Sequence, residues 1–408
     1  MKKISKCRFC KSKNLKDAIN LGSQSLTGIF PRNNENKISK GPLIATLCGS
    51  CSLLQLRHSF NQNEMYGHNY GYRSSLNASM VNHLRNKAIN LKKNFSIKKN
   101  EYIIDIGSND GTFLNCFENY NNLVGVDPTI KKFKKFYNNK IKQIDDFFPS
   151  DKILKVLKNN KAKLVTSISM FYDLEDPLEF IENIKSILDK DGIWHFEQSY
   201  LPFMLKQNSY DTICHEHLEY YSLTVVNKIL NKANMKILNV ELNNINGGSF
   251  AVTATHSKSK LKANNKIIER ILREEKKMNL SNIKVYKNFQ KNILSHKKSL
   301  LNLLRKLKKK NKIVCGLGAS TKGNVILQYC GITNDLLRYI YEINKDKFGK
   351  FTPGSNIKIL SDKKINRNNC DYLLVLPWHF KDHIIKNERK ALEAGIKLIF
   401  PLPQIEII

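Results

Sequence analysis

A chain of 408 residues is long for a single core and implies two or three domains. Its 41% hydrophobic and 25% charged residues are ordinary globular composition, which excludes a disordered or collagen-like chain. The 68 Lys and Arg against 35 Asp and Glu give a formal charge of +33, but the excess is lysine scattered along the whole sequence and not a concentrated patch, so nucleic acid is not the expected partner.

No stretch approaches the ~20 apolar residues that cross a bilayer, and Met1–Lys6 lead into cysteines instead of an apolar signal core. The expected location is the cytoplasm, without a membrane partner. The sequence leaves the oligomeric state open. In a reducing compartment nine cysteines are not a disulfide framework. Four of them form two Cys-x-x-Cys pairs, Cys7/Cys10 and Cys48/Cys51, in a short module rich in turn formers over residues 1–60. Each pair forms a knuckle that aims both sulfurs at one ion, so a closed structural Zn2+ site is expected, with a redox pair as the alternative. A polar, aromatic stretch over 61–73 and a helical pattern over 76–91 lead into the next unit.

From Tyr102 the pattern alternates: strand Tyr102–Ile106, helix from Gly111, strand Leu123–Val126, helix from Ile130, strand Leu164–Ser169, helix Leu178–Leu188 and strand Gly192–Glu197. That order predicts a doubly wound, mostly parallel α/β sheet. Met235–Leu242 and Ser249–His256 read as an antiparallel tail, closing a domain over 61–257. Residues 258–310 are a charged, helical connector with an amphipathic face. Residues 311–408 form a second, smaller α/β unit.

The turn after the first strand reads Asp105-Ile106-Gly107-Ser108-Asn109-Asp110-Gly111. Small residues there let a ligand lie against backbone, and Asp127, at the tip of the second strand, can accept from both hydroxyls of a ribose. The spacing is not Gly-x-Gly-x-x-Gly, so it lacks the pyrophosphate cradle of a dinucleotide site; it resembles motif I of class I methyltransferases and points to S-adenosylmethionine (SAM). The expected SAM contacts are Asp105, Gly107, Asn109, Gly111 and Asp127. Asp146 and Phe147, between the second strand and the one at Leu164, could hold the adenine or could be a loop acid and a core aromatic.

Residues Tyr210–Tyr221 pack histidines, carboxylates and tyrosines into one segment. Histidine and glutamate suit proton transfer, and tyrosine can donate to an oxyanion. A metal pair and structural hydrogen bonding are the competing readings. The later Gly316-Leu317-Gly318-Ala319-Ser320-Thr321-Lys322-Gly323-Asn324 follows a strand and opens a helix, and could hold a diphosphate or be a structural turn. His379, in Pro377-Trp378-His379-Phe380, reads as structural.

Taken together, the cysteine pairs, the Tyr66–Asn77 stretch, the Asp105–Thr112 loop, His215-Glu216-His217-Leu218-Glu219-Tyr220-Tyr221 and the 318–324 loop resemble the nucleotide-sugar C-methyltransferase family over nearly the whole chain. The resemblance implies a class I methyltransferase (Rossmann-like) doubly wound sheet with a small N-terminal zinc module and a second, C-terminal Rossmann-like α/β domain. It implies methylation of C3 of a nucleotide-diphosphate 4-keto-deoxysugar through an enolate. His217 would be the base, with Glu216 orienting or assisting it. His215 or tyrosines would donate to the enolate oxygen, and Tyr70 or Tyr72 would line the junction of donor and sugar. Tyr221, Ser320, Lys322 and Asn324 are the expected substrate contacts. Members of the family carry tyrosine where this chain has Cys214, and histidine in the region of Met170–Asp176. An O-methyltransferase and a zinc-ribbon RNA-modifying protein are the alternatives.

Overall fold

The computed structural model describes residues 1–33, 38–66, 72–364 and 370–408. Its centre is a seven-stranded sheet in the order Lys142–Ile144, Asn122–Val126, Tyr102–Ile106, Ala162–Ile168, Leu188–Ser199, Ser249–His256, Met235–Asn243. The first five run parallel and Ser249–His256 runs antiparallel to its neighbours on both sides. Numbered along the chain this is 3-2-1-4-5-7-6, with a switch point beside Tyr102–Ile106, where a doubly wound sheet places its ligand. Near-continuous apolar runs such as Ile103-Ile104 and Leu123-Val124 fit strands covered on both faces. Helices Ala78–Asn94, Pro177–Ile187 and Leu223–Lys232 supply that cover.

Two expected helices are barely present. The stretch from Gly111 winds only one 3-10 turn at Leu114–Phe117, and the stretch from Ile130 one α turn at Ile130–Phe133. Asn115 ties the two together, donating to Phe136 O and accepting from Asn138 N, which satisfies backbone groups outside any helix.

The N-terminal cysteines frame an antiparallel sheet in which Leu15–Ser25, Lys40–Cys48 and Leu54–Leu56 are joined by Glu219–Tyr220 from far along the chain. The residues after Cys214 are therefore held by the N-terminal sheet: Glu219 pairs with Gln55 and Tyr220 with Leu54. The connector is two helices, Asn265–Met278 and Ile283–Lys309, broken at left-handed Asn279. On the second, Tyr286, Phe289, Ile293, His296, Leu300, Leu304 and Leu307 recur every three or four residues and are buried against both the N-terminal sheet and the C-terminal unit. Glu275 on the first is buried but fully used, accepting from Tyr200 Oη and from the amides of Leu223 and Thr224 that open a helix. The C-terminal sheet runs Ile359–Ser361, Ile340–Glu342, Val314–Leu317, Tyr372–Val375, Lys397–Phe400 and Glu406–Ile407, parallel except for the last strand. Among the described residues no helix is long and apolar enough to cross a membrane.

Candidate active site at the junction of three units

The sulfurs of Cys7, Cys10, Cys48 and Cys51 lie within 4.8 Å of one another. Cys7 to Cys51 is 3.6 Å and Cys10 to Cys48 is 3.5 Å, close to the ~3.8 Å edge of a tetrahedron with Zn–S bonds of ~2.3 Å. The knuckles turn through left-handed Lys11 and Ser52, and Gln55 Nε2 donates to Cys7 Sγ at 3.1 Å as an outer-shell brace. Four converging thiols fit Zn2+ and leave no coordination position for chemistry. Between the knuckle cysteines, buried Arg8 donates to Leu56 O (2.6 Å), Ser59 Oγ (2.9 Å) and Glu175 (3.3 Å), and its Nε lies 3.8 Å from Glu219 Oε1. The metal module thus grips the segment that carries His217.

The SAM loop is shaped by two left-handed glycines. A Cβ at Gly107 (φ +74°) would lie 3.0 Å from Met170 Cγ, and one at Gly111 (φ +75°) would lie 2.8 Å from the Tyr137 ring. Asp127 braces the loop, its Oδ2 accepting Asn109 N at 2.9 Å and its Oδ1 accepting Thr129 N at 2.7 Å. Asp105 is buried against Thr166 Oγ1 (2.6 Å), and burial pushes its carboxyl up to about 7. Across the loop, Ser74 N and Ser75 N donate to the side chains of Asn109 and Asp110. Tyr72 is exposed beside them, with its carbonyl accepting from Asn109 Nδ2. Asp146 is held by Ser150 and Lys152, while the neighbouring Phe147, just past the edge strand Lys142–Ile144 that pairs with the Asn122–Val126 strand leading to Asp127, is 36% exposed, an aromatic face available to a base. Glycines too crowded to carry a side chain and a carboxylate at the adjoining strand tip fit SAM. In Asp127→Ala, affinity for S-adenosylhomocysteine is expected to fall ~10- to 100-fold by calorimetry, the worth of one or two hydrogen bonds to a charged group.

The Tyr210–Tyr221 segment distributes its side chains in different directions. His217 Nδ1 lies 2.8 Å from Thr212 O; a carbonyl can only accept, so Nδ1 carries the proton and Nε2 is left with its lone pair. The Tyr172 ring is 4.1 Å away, and Tyr220 Oη donates to His217 O at 2.9 Å. Burial, reinforced by the charge of Lys322, depresses the imidazolium to about 3, so His217 is neutral throughout the physiological range. Tyr220 belongs to the motif read in the sequence, but neither Thr212 nor Tyr172 was given a role there. Thr212 could not have been, because its contribution is a backbone carbonyl.

Three other expected site residues make their contacts away from His217. Among the described residues Glu216 makes no hydrogen bond to His217: its Oε2 accepts from Thr27 Oγ1 at 3.2 Å, and its Oε1 is only 2.5 Å from where a Cβ on Gly28 would sit, so it faces the N-terminal module. His215 is fully buried edge-on to Phe60 with Nε2 toward Gly41 O, so the contacts of its ring lie in the N-terminal module. Tyr221 stacks on Phe171 in the core, because successive residues leave an extended segment on opposite faces and Tyr220 takes the site side.

The 318–324 loop is likewise occupied from within. Ser320 Oγ caps its helix by accepting Gly323 N, and Asn324 Nδ2 donates to Thr27 O at 2.7 Å. Glu342 Oε2 accepts Ala319 N at 2.9 Å, placing a carboxylate where a phosphate would need the amides. Ser320 thus caps its helix and Asn324 braces Thr27 through its amide nitrogen, while the charge of Lys322 is the one from this loop that acts on His217. Tyr70 lies outside the described residues.

The sheet order and the loop at its switch point define a class I SAM-dependent methyltransferase. Three family models match in succession: a zinc binding domain over residues 7–66, a methyltransferase domain over 80–240 and a C-methyltransferase C-terminal domain over 244–403. The chain is 28% identical to the C-methyltransferase NovU of Streptomyces niveus over 409 aligned residues, covering 99% of this chain and 97% of NovU. Among solved structures, the mitomycin 7-O-methyltransferase MmcR aligns over 45% of this chain and 55% of its own at 10% identity and TM-score 0.35. LepI in complex with SAM aligns over 42% and 46% at 14% identity and TM-score 0.34. The chain is a SAM-dependent C-methyltransferase with a zinc-binding N-terminal domain.

Proposed function

We propose that this C-methyltransferase methylates C3 of a nucleotide-diphosphate 4-keto-deoxysugar in the cytoplasm, with His217 as the base. The observation that carries this reading is the fixed tautomer of His217, whose Nδ1–H is spent on Thr212 O so that Nε2 can only accept. An O-methyltransferase needs a base for a hydroxyl; a carbon next to a ketone needs a neutral base in a dry pocket and a donor for the enolate oxygen. The nucleotide-sugar assignment rests on the family resemblance of the motifs. The proposed division of labour is a zinc module over 1–60, a SAM-binding domain over 61–257, a helical connector over 258–310 and an α/β domain over 311–408 that closes the site.

When bound, SAM supplies an electrophilic methyl group on a sulfonium and departs as a neutral thioether. Gly107 and Gly111 leave room for it, Asp127 holds its ribose, and Phe147 with Asp146 forms the adenine wall. His217 Nε2 takes the C3 proton, and the aromatic rings of Tyr172 and Tyr220 keep water from competing. Once protonated, the imidazolium passes its proton to solvent after product leaves.

The test incubates the enzyme with dTDP-4-keto-6-deoxyglucose and its UDP counterpart in deuterated water with S-adenosylhomocysteine, and then with deuteromethyl SAM. Deuterium at C3 by NMR, followed by a labelled methyl group on carbon, is the expected result. A label on oxygen, or no exchange at C3 with either sugar, would overturn the reading in favour of O-methylation.

A further inference from the structure

Resting on the keto-sugar reading above, we propose that Lys322, supplied by the C-terminal domain, is a catalytic residue whose ammonium donates to the oxygen of the developing enolate opposite His217.

Lys322 sits on the first turn of helix Thr321–Cys330 yet points out of its own domain, donating to Asn246 O at 2.6 Å in the turn between the last two strands of the methyltransferase sheet. That turn abuts the 377–380 loop, since a Cβ on Gly247 would lie 3.3 Å from Trp378 Cη2 and 3.7 Å from His379 Cβ. Trp378 Nε1 in turn donates to Asp211 Oδ2 at 2.8 Å, one residue before the carbonyl that fixes His217. Two C-terminal loops and the acid/base segment therefore converge on one point. Among the described residues Asn246 O is the hydrogen-bond acceptor of Lys322, which leaves two of its N–H bonds without a protein partner. Beside it, Asp211 Oδ1 and His379 Nδ1 are buried and also without partners. Buried polar groups left unpaired cost on the order of 1–3 kcal/mol each, so a cluster of them at an interdomain junction is the mark of a polar ligand group that completes the set.

The charge of Lys322 is felt by both His217 and His379, which it depresses, and by Asp211, which it lowers against burial. The groups facing His217 are Lys322 from the C-terminal helix, Tyr172 from the turn after Ala162–Ile168, and Glu219 and Tyr220 from its own segment. None of the other three is a free cation. A base depressed this far removes a carbon-bound proton only if the carbon acid is acidified at the same moment, and a donor on the ketone oxygen does that. In the step, the C3–H bond breaks, the proton goes to His217 Nε2, and the electron pair becomes the C3–C4 π bond as charge builds on the oxygen at C4. Lys322 keeps its proton and hydrogen-bonds that oxygen. When C3 then forms its bond to the methyl carbon, the carbonyl is restored and the hydrogen bond relaxes. A diphosphate role for Lys322 is disfavoured by Glu342, which occupies the amide of the same loop.

The experiment measures C3 deuterium exchange, methyl transfer and dTDP affinity for wild type, Lys322→Met and, as a fold control, Ser320→Ala, with thermal melting for each. The expected result is a ~10²- to 10³-fold loss of exchange in Lys322→Met, the cost of one oxyanion donor, with dTDP affinity within twofold of wild type and partial rescue by added ethylammonium. Exchange that persists in Lys322→Met, or a loss confined to dTDP affinity, overturns the role of Lys322 alone. No exchange in wild type overturns the keto-sugar reading and this one with it. If Lys322→Met melts far below wild type, Lys322→Gln keeps an N–H donor to Asn246 O, and the same exchange loss is required of it.

Discussion

His217→Gln is expected to lose C3 exchange and methyl transfer by a factor of ~10²–10⁴, the usual contribution of a positioned general base. The size follows from the pocket. The ring is held by Thr212 O at Nδ1 and by Tyr172 at 4.1 Å, while His215, two residues away, is turned into the N-terminal module. Glutamine keeps much of the bulk and polarity but offers no basic nitrogen. Affinity for S-adenosylhomocysteine should be unchanged, because the contacts proposed for SAM come from the loop after Tyr102–Ile106 and from the Asp127 strand tip, none of which bonds His217. Calorimetry alongside the exchange assay checks both halves. Exchange at wild-type rate in this variant would remove His217 from the mechanism.

Cys48→Ser, or stripping Zn2+ with a chelator, is expected to abolish activity even though the metal touches no reactant. Zinc modules without metal lose ~10–16 kcal/mol of apparent binding free energy in isolated fingers, and here the four cysteines tie the turn at Cys7–Cys10 to the end of strand Lys40–Cys48. The consequence reaches the active site by two routes visible in the structure. Glu219 and Tyr220 are strand partners of Gln55 and Leu54, and Arg8, between Cys7 and Cys10, packs its guanidinium against Glu219. Releasing the cysteines frees both, and with them the 214–221 segment that presents His217. Metal content by atomic absorption should fall from one zinc per chain to none, with a lower melting temperature, while readdition of Zn2+ to the stripped wild type restores activity. Retained methyl transfer in a zinc-free protein would show that the module does not support the site.

Much of this protein was legible before its structure. Cysteines three residues apart, alternating apolar strands, a glycine turn and an acidic strand tip are short-range patterns, each set by what a few neighbouring residues can do, and all of them are found where the spacing placed them. Six of the seven strands of that sheet were read from apolar runs; the edge strand Lys142–Ile144 was missed, because three residues with one buried side chain leave no pattern, and the strand order came only with the structure. The weak helices after Gly111 and Ile130 were misjudged because asparagine side chains there satisfy the backbone in ways that no periodicity reveals.

The direction of each side chain in the dense Tyr210–Tyr221 segment was decided only by tertiary structure. Pattern alone could group His215, Glu216, His217 and Tyr221, but the strand pairing with Leu54–Leu56 sends them to different neighbours, and only His217 faces Lys322. The same holds for the C-terminal glycine loop, whose amides look free in sequence, whereas in space Ala319 N donates to Glu342 and Gly323 N to Ser320 Oγ. Sequence by itself determined which chemistry this chain carries, because motif spacing constrains local geometry. Tertiary structure decided which residues share the chemistry, because a hydrogen bond such as Trp378 to Asp211 or Asn324 to Thr27 joins residues more than a hundred positions apart, where no local pattern extends.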